Sequence, residues 1–352
     1  MPTDDPDSEV TSDSRYARQM QYAPVGEEGQ RQLGRATALV CGCGALGSVS
    51  ANWLARAGVG TIRLVDRDFL ELNNLQRQVV YDEKDVRSGL PKAIAAANRL
   101  REVNSTIHIE PCVADVNYRS IEALLDGVDV IVDGTDNFET RFLLNDASVK
   151  HSVPWVYGGC IGAEGQVMTI IPGETACLRC LMRDTPPPGI TPTCDTAGIL
   201  GPVVGVIASF QANEVIKILS GNVGDINRTL NIFQLWDNRL RQVNLDSLLA
   251  SKSCPACHAH EFPWLEGQRG SQHAVLCGRN SVQLSFPDST PMSLEALEEK
   301  LVGIGTVTRN PFLLRLVVDE YQLTVFADGR AVIGGTDDPA AAKTVYSKYV
   351  GN

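Results

Sequence analysis

The chain predicts an α/β fold, a Rossmann-like doubly wound sheet that is mainly parallel. Three observations predict it. Short apolar runs alternate with helix-patterned stretches through the first half of the chain. The first unit, ATALVCGCGALGSVSANWLARAG, sets a glycine-rich turn between an apolar strand and a helix. The second strand, TIRLVD, ends on Asp66, where a nucleotide-binding fold places a carboxylate.

Taken in order, residues 15–34 carry a helical pattern, and the strand, turn and helix of the glycine unit come next. Helical patterns recur over 91–103, 120–126 and 139–150, with strand-like runs over 106–109, 128–132 and 154–157. Past Gly165 the pattern changes: a strand over 166–171, a proline-containing loop over 177–192, a buried helix over 197–220, and strands over 228–233 and 241–245. A composition break at 266–272 precedes a small α+β appendage, with a helix over 293–301 and a last helix from Pro339. The expected organisation is an acidic disordered tail over 1–14, a main domain over 15–265 and a small domain over 272–352.

Of 352 residues, 43% are hydrophobic and 21% charged, which suits a globular chain with one large domain and a small one. The formal net charge of -11 makes a poor binder of phosphate backbones, so no nucleic-acid partner is expected. Asp4, Asp5, Asp7, Glu9 and Asp13 concentrate part of that charge near the N-terminus, without Lys or Arg. The N-terminus lacks the basic and apolar regions of a secretion signal. The most apolar stretch, 197–210, reads as too short to span a bilayer and as broken by Gly201 and Pro202. With ten cysteines and no export signal, a reducing cytoplasm is expected.

Gly42, Gly44 and Gly47 form a G-x-G-x-x-G turn at a helix N-terminus, where backbone N–H groups and the helix dipole favour phosphate. A glycine turn that only lets helix and sheet pack closely is the plainer alternative, and Cys41 and Cys43 read as small filler. The turn suits NAD as well as ATP. The residues after Asp66 separate the two: DRDFLELNNLQRQ and GLPKA bring Asn73, Asn74, Gln76, Arg77 and Lys92 toward the carboxyl ends of the strands. Hydride transfer needs no such cations; a triphosphate does. A solvated loop is the rival reading for Arg77 and Lys92. The strand ending VIVDGTDN sets Asp133, Asp136 and Asn137 at the same edge, where a magnesium ion is held or the next helix merely capped.

Cys177–Cys180 and Cys254–Cys257 are two C-x-x-C knuckles, and four thiolates suit a tetrahedral structural zinc. They stand too far apart for a zinc finger, so the metal ties two distant segments. A redox pair is the competing reading, but neither pair opens a helix after a strand. His258 and His260 read as bystanders.

The segments RYARQ, GCGALG, LNNLQRQ, GLPK, DGTDN and GAEGQV, with both knuckles, resemble the ThiF/MoeB/HesA adenylyltransferases of the ubiquitin-activating-enzyme superfamily, from Arg15 to Cys254. The resemblance implies a sulfur carrier protein adenylyltransferase. Its substrate is a small ubiquitin-like sulfur carrier protein ending in Gly-Gly. The carrier's terminal carboxylate attacks the α-phosphate of Mg-ATP, serving thiamine, molybdopterin or another sulfur-transfer route. The roles it implies are nucleotide and ribose binding for Gly44 and Asp66, triphosphate binding for Asn74, Arg77 and Lys92, and Mg2+ binding for Asp136. It implies that Arg18 reaches the phosphates of a partner subunit, hence a homodimer with two shared sites. A cysteine desulfurase or rhodanese is an implied sulfur donor. A carboxylate is already ionised at neutral pH, so no general base is required.

Cys194, in TPTCDTAGILGP, falls where the superfamily carries a nucleophile that takes the activated carrier from AMP. A loop cysteine without that role is the alternative, and the run Pro186 to Gly189 reads as an exposed mobile loop. In the appendage Cys277, next to Gly278 and Arg279, is either an activated sulfur-carrying thiol or a buried strand-end cysteine. Two other classes stand against the adenylylation reading. One is an NAD-dependent oxidoreductase; the other is a non-catalytic nucleotide-binding scaffold.

Overall fold

A computed structural model of the chain describes residues 12–186, 194–269, 273–276, 280–284, 292–327 and 329–351. Most of the acidic tail, the prolines at 187 and 188 with Gly189, and Cys277 lie outside the described residues. The chain divides into two compact units, Met1–Gln268 and Arg269–Asn352.

The first unit runs α1 (Ser12–Met20), α2 (Gly26–Leu33), β1 (Thr37–Cys41), α3 (Ala45–Ala57), β2 (Thr61–Val65), α4 (Glu83–Ser88), α5 (Lys92–Val103), β3 (His108–Cys112), α6 (Ile121–Leu124) and β4 (Val130–Asp133). It continues with α7 (Phe138–His151), β5 (Trp155–Ile161), β6 (Glu164–Ile170), α8 (Leu178–Leu181), α9 (Cys194–Ala197), α10 (Gly201–Leu219), β7 (Thr229–Gln234), β8 (Arg239–Asn244) and α11 (Asp246–Ala250). The strands form one sheet in the order β3-β2-β1-β4-β5-β6-β7-β8. From β3 to β5 every pairing is parallel, and β6, β7 and β8 add antiparallel. The chain winds outward from β1 to β3, then restarts on the other side of β1 at β4. That reversal opens a crevice at the carboxyl ends of β1 and β4, where α/β sheets bind ligands.

Strand side chains alternate between faces, so each face buries its own core. Ala38 and Val40 of β1 join α3, α5 and α10 through Val49, Leu54, Ala96, Leu100 and Ile207. Leu39 and Cys41 join the opposite core with Phe142, Leu144, Trp155 and Trp264.

The structure changes several expected elements. The helix expected over 15–34 is two helices, turned between them by Gly26 at φ 55°. Residues 12–14, expected in the tail, open α1. The loop expected over 177–192 contains α8. The apolar stretch is broken between Ala197, the end of α9, and Gly201, so the helix expected over 197–220 starts late; Gly201 and Pro202 begin α10, with proline in the first turn, where its missing N–H costs nothing. At 19 residues α10 runs past the stretch 197–210 and is long and apolar enough to cross a membrane by length and composition only. Here it packs against α3, β4, β5 and β6.

The second unit holds β9 (His273–Leu276), β10 (Ser281–Leu284), α12 (Leu294–Leu301), β11 (Thr306–Arg309), β12 (Leu313–Val318), β13 (Tyr321–Phe326), β14 (Ala331–Gly334) and α13 (Pro339–Tyr349). Its antiparallel sheet runs β11-β12-β13-β14-β10-β9. Leu314, Leu316, Leu323, Val325 and Ile333 point to one face and bury Leu297 and Leu301 of α12 and Val345 and Tyr346 of α13. Arg315, Thr324, Val332 and Gln283 form a register row on the other face.

Candidate nucleotide crevice and cysteine cluster

The crevice begins at the turn between β1 and α3. Gly42 sits at φ 90°, and a Cβ there would meet the Gly134 carbonyl oxygen at 2.6 Å. A Cβ on Gly47 would stand 1.8 Å from the Gly42 carbonyl oxygen, and one on Gly134 would stand 2.3 Å from the same atom. The turns after β1 and β4 therefore interlock, and only hydrogen side chains allow it. Gly44 is different: nothing approaches its Cβ position closer than about 4.0 Å. Two of the motif's glycines serve packing, and the middle one has room around it at the start of α3.

Asp66 directly succeeds β2 and faces that turn. Its Oδ2 accepts the Cys43 N–H at 2.6 Å and its Oδ1 the Asp68 N–H at 2.6 Å. Burial pushes its carboxyl up and Lys92 offsets part of the rise. Lys92, 4% exposed at the start of α5, sets its Nζ 3.3 Å from Asp68 Oδ2. A buried ammonium needs such a partner.

The other expected residues divide. Asp136 is exposed beside the interlocked turns, within electrostatic reach of Arg67 and Arg141. Asn137 caps α7, its Oδ1 accepting the Thr140 N–H at 2.8 Å. Asn74 is buried in a short turn, where its Oδ1 accepts the Glu71 N–H at 3.1 Å and its Nδ2 donates to Asn73 Oδ1 at 2.8 Å. Arg77 donates to the Asn73 carbonyl at 3.0 Å. Gln76 donates to the Ile199 carbonyl at 3.5 Å, tying this segment to the approach to α10. Asp133 is fully buried: its Oδ1 accepts from the Thr135 N–H and hydroxyl, and its Oδ2 lies 3.3 Å from Arg141 Nε. It is a structural carboxylate.

Arg18 is exposed in α1 and distant from this crevice. Its neighbour Gln19 donates to the Ala57 carbonyl at 2.9 Å, and Tyr16 accepts from Asn104 Nδ2 at 2.7 Å. Both contacts lie at the C-terminal ends of α3 and α5. The glycine turn is at the other end of α3, roughly 20 Å away at 1.5 Å per residue. Cys194 opens α9, and the chain after it is stitched to β5: the Gly162 N–H donates to the Gly198 carbonyl at 2.9 Å, and the Leu200 N–H to the Gly162 carbonyl at 2.8 Å.

Two side chains near the crevice, Arg141 and Tyr81, carry no signal in the sequence, and a third, Gln78, lies in LNNLQRQ without being singled out. Arg141 donates through Nη2 to the carbonyls of Thr135 at 2.7 Å and Gly158 at 3.0 Å, and stacks on Phe138 and Tyr157. It clamps the loop bearing Asp136 onto β5. Tyr81 donates to the Cys43 carbonyl at 2.7 Å. Gln78 is buried beside Gly44, and among the described residues its Oε1 has no partner. Arg141 reaches the Gly158 carbonyl and Tyr81 that of Cys43, partners that spacing does not reveal.

Away from the crevice the four knuckle cysteines converge, their sulfurs all within 4.8 Å of one another. Cys177 and Cys254 sulfurs are 3.5 Å apart, Cys180 and Cys257 3.4 Å, and Cys177 and Cys180 3.8 Å. These separations are far beyond a disulfide's. They approach the ~3.8 Å edge of a tetrahedron with 2.3 Å zinc–sulfur bonds, so the residues fit the metal. Arg179, inside the first knuckle, pairs with buried Asp146 at 3.1 Å and donates to the Glu261 carbonyl at 2.7 Å.

Among solved structures the fold is similar to that of the Escherichia coli protein MccB, with a TM-score of 0.59 and 23% identity over 67% of this chain and 70% of that one. Sequence similarity reaches further. The chain is 44% identical over 338 residues to the sulfur carrier protein ThiS adenylyltransferase of Bacillus subtilis, spanning 96% of this chain and 99% of the relative. It is 37% identical over 249 residues to the SAMP-activating enzyme E1 of Haloferax volcanii, spanning 71% and 90%. The model of the ThiF family matches residues 16–256, which hold the glycine turn, Asp66, Lys92, Asp136 and three of the four clustered cysteines. By its sheet, its crevice and that match, this chain belongs to the ThiF family.

Proposed function

We propose that the protein adenylylates the C-terminal glycine carboxylate of a ubiquitin-like sulfur carrier protein. A carrier carboxylate oxygen bonds to the α-phosphorus of ATP, the bond to the bridging α–β oxygen breaks, and pyrophosphate leaves with that electron pair. The observation that carries the reading is the crevice itself: an open Gly44 at a helix start, with Asp66, Lys92 and Asp136 around it. It occurs in a chain that matches a ThiS adenylyltransferase almost end to end. That full-length likeness favours a thiamine-type carrier.

The chemistry asks for positioning and charge neutralisation. Asp66 orients the ribose, the first turn of α3 receives phosphate, and Lys92 and Arg77 offset triphosphate charge. Asp136 is the residue placed to hold Mg2+, which supplies further neutralisation of the triphosphate when bound. The capping roles of Asn74 and Asn137 make them supports of the crevice more than direct ligands.

The working assembly in this reading is a homodimer. Arg18 stands far from its own chain's crevice, so it serves a partner's. An exposed apolar strip on α3 and α10 suits a second copy: Trp53 is 47% exposed, Phe210 38%, and Val79 beside them 69%. Neither the oxidoreductase nor the scaffold reading has a comparable observation in its favour. The test is carrier-dependent ATP–pyrophosphate exchange. Asp136→Ala abolishes it while circular dichroism and melting stay as in the wild type; near-normal exchange in the variant sinks the assignment.

A further inference from the structure

We infer that Tyr81 is a positioning residue for nucleotide phosphate: its hydroxyl fixes the orientation of the peptide joining Cys43 to Gly44. The inference rests on the adenylylation reading and deepens it.

Tyr81 is 6% exposed. Its O–H lies 2.7 Å from the Cys43 carbonyl oxygen and 3.2 Å from that of Lys92. A phenol has one proton to donate, and the shorter contact takes it. Burial raises the phenol's pKa well above its ordinary value, so the proton stays in place near neutrality. The Cys43 N–H is held from the other side by Asp66 Oδ2. Both polar groups of Cys43 are thus gripped, one by the residue after β2 and one by the turn Gln78–Tyr81. That turn is itself closed by the Tyr81 N–H donating to the Gln78 carbonyl at 3.1 Å.

Peptide geometry sets the consequence. A trans peptide is planar, with C=O and N–H pointing opposite ways. With the Cys43 carbonyl turned to Tyr81, the Gly44 N–H points away from it. It joins the first-turn N–H groups of α3, which have no partners within a helix. Glycines flank Cys43 on both sides, so the backbone itself offers little resistance to a peptide flip. The hydroxyl supplies that resistance.

Tyr81→Phe removes the hydroxyl and keeps the ring that fills the core. ATP and adenosine binding are compared by calorimetry at a temperature where both proteins are folded. Losing one ordering hydrogen bond weakens ATP by about tenfold, while adenosine, which has no phosphate, changes by less than about twofold. The KM for ATP in exchange rises with kcat less affected. Equal weakening of ATP and adenosine means the hydroxyl only supports the fold, and unchanged ATP affinity means it does nothing here; either overturns the inference. Should the variant not fold, hydrogen exchange on the wild type decides: ATP slows exchange of the Gly44 amide, and an unprotected Gly44 overturns the proposal. A wild-type protein that binds no ATP defeats the adenylylation reading instead, a result distinct from failure of the Tyr81 arm.

Discussion

Gly42, Gly47 and Gly134 share one small volume, and none has room for a methyl group. Gly47→Ala would drive its Cβ into the Gly42 carbonyl at 1.8 Å, so the turns after β1 and β4 must separate. We expect roughly 3 kcal/mol or more of lost stability and a matching loss of ATP binding, read by urea unfolding and calorimetry. An unchanged unfolding midpoint contradicts the interlock. This scale also shows what the sequence discloses. The glycine turn and Asp66 are legible because their spacing is local and set by one strand, one turn and one helix. Asn74 and Asn137 are legible as polar residues at the right edge, but not as capping groups, because a cap is defined by backbone geometry. Arg141 and Tyr81 are not legible at all. Each acts across the crevice on a strand or turn distant in sequence, and nothing in its own neighbourhood marks it.

At the scale of elements, α10 and the cysteine cluster do the organising. Gln211 of α10 donates to the Asp133 carbonyl at 2.8 Å and the Val156 carbonyl at 3.1 Å. A Cβ on Gly158 would collide with that amide, so β5 leaves room for it. One helix thereby ties the end of β4 to the start of β5, next to the loop bearing Asp136. The helix is readable from its apolar run, but its start is not. A proline within an apolar run signals a break, whereas Pro202 sits in a first turn that has no N–H to lose. The knuckles are readable outright, because a C-x-x-C pair is local even when its partner pair is not. We expect about one zinc per chain by elemental analysis, lost in Cys177→Ala together with a lower melting temperature. A native preparation without zinc refutes the ligand set.

For the molecule as a whole, the remoteness of Arg18 from its own crevice makes a stringent prediction. Arg18→Ala and Asp136→Ala should each be inactive alone. Mixed and allowed to exchange subunits, they form heterodimers in which one crevice has its own Asp136 and a partner's Arg18. Random pairing restores about a quarter of wild-type exchange activity. Absence of any rescue places Arg18 outside the reaction or in its own crevice. The cysteine cluster bears on the same scale in another way. A metal bound there would join Cys177 to Cys254, 77 positions along the chain, and so turn that length into a closed ring. The ring carries α9, α10, β7 and β8. Cross-linking a loop of this size removes on the order of 4 kcal/mol of freedom from the unfolded chain. A metal held by the four sulfurs would therefore act on the crevice through topology: opening the ring would free the segment whose helix braces β4 and β5.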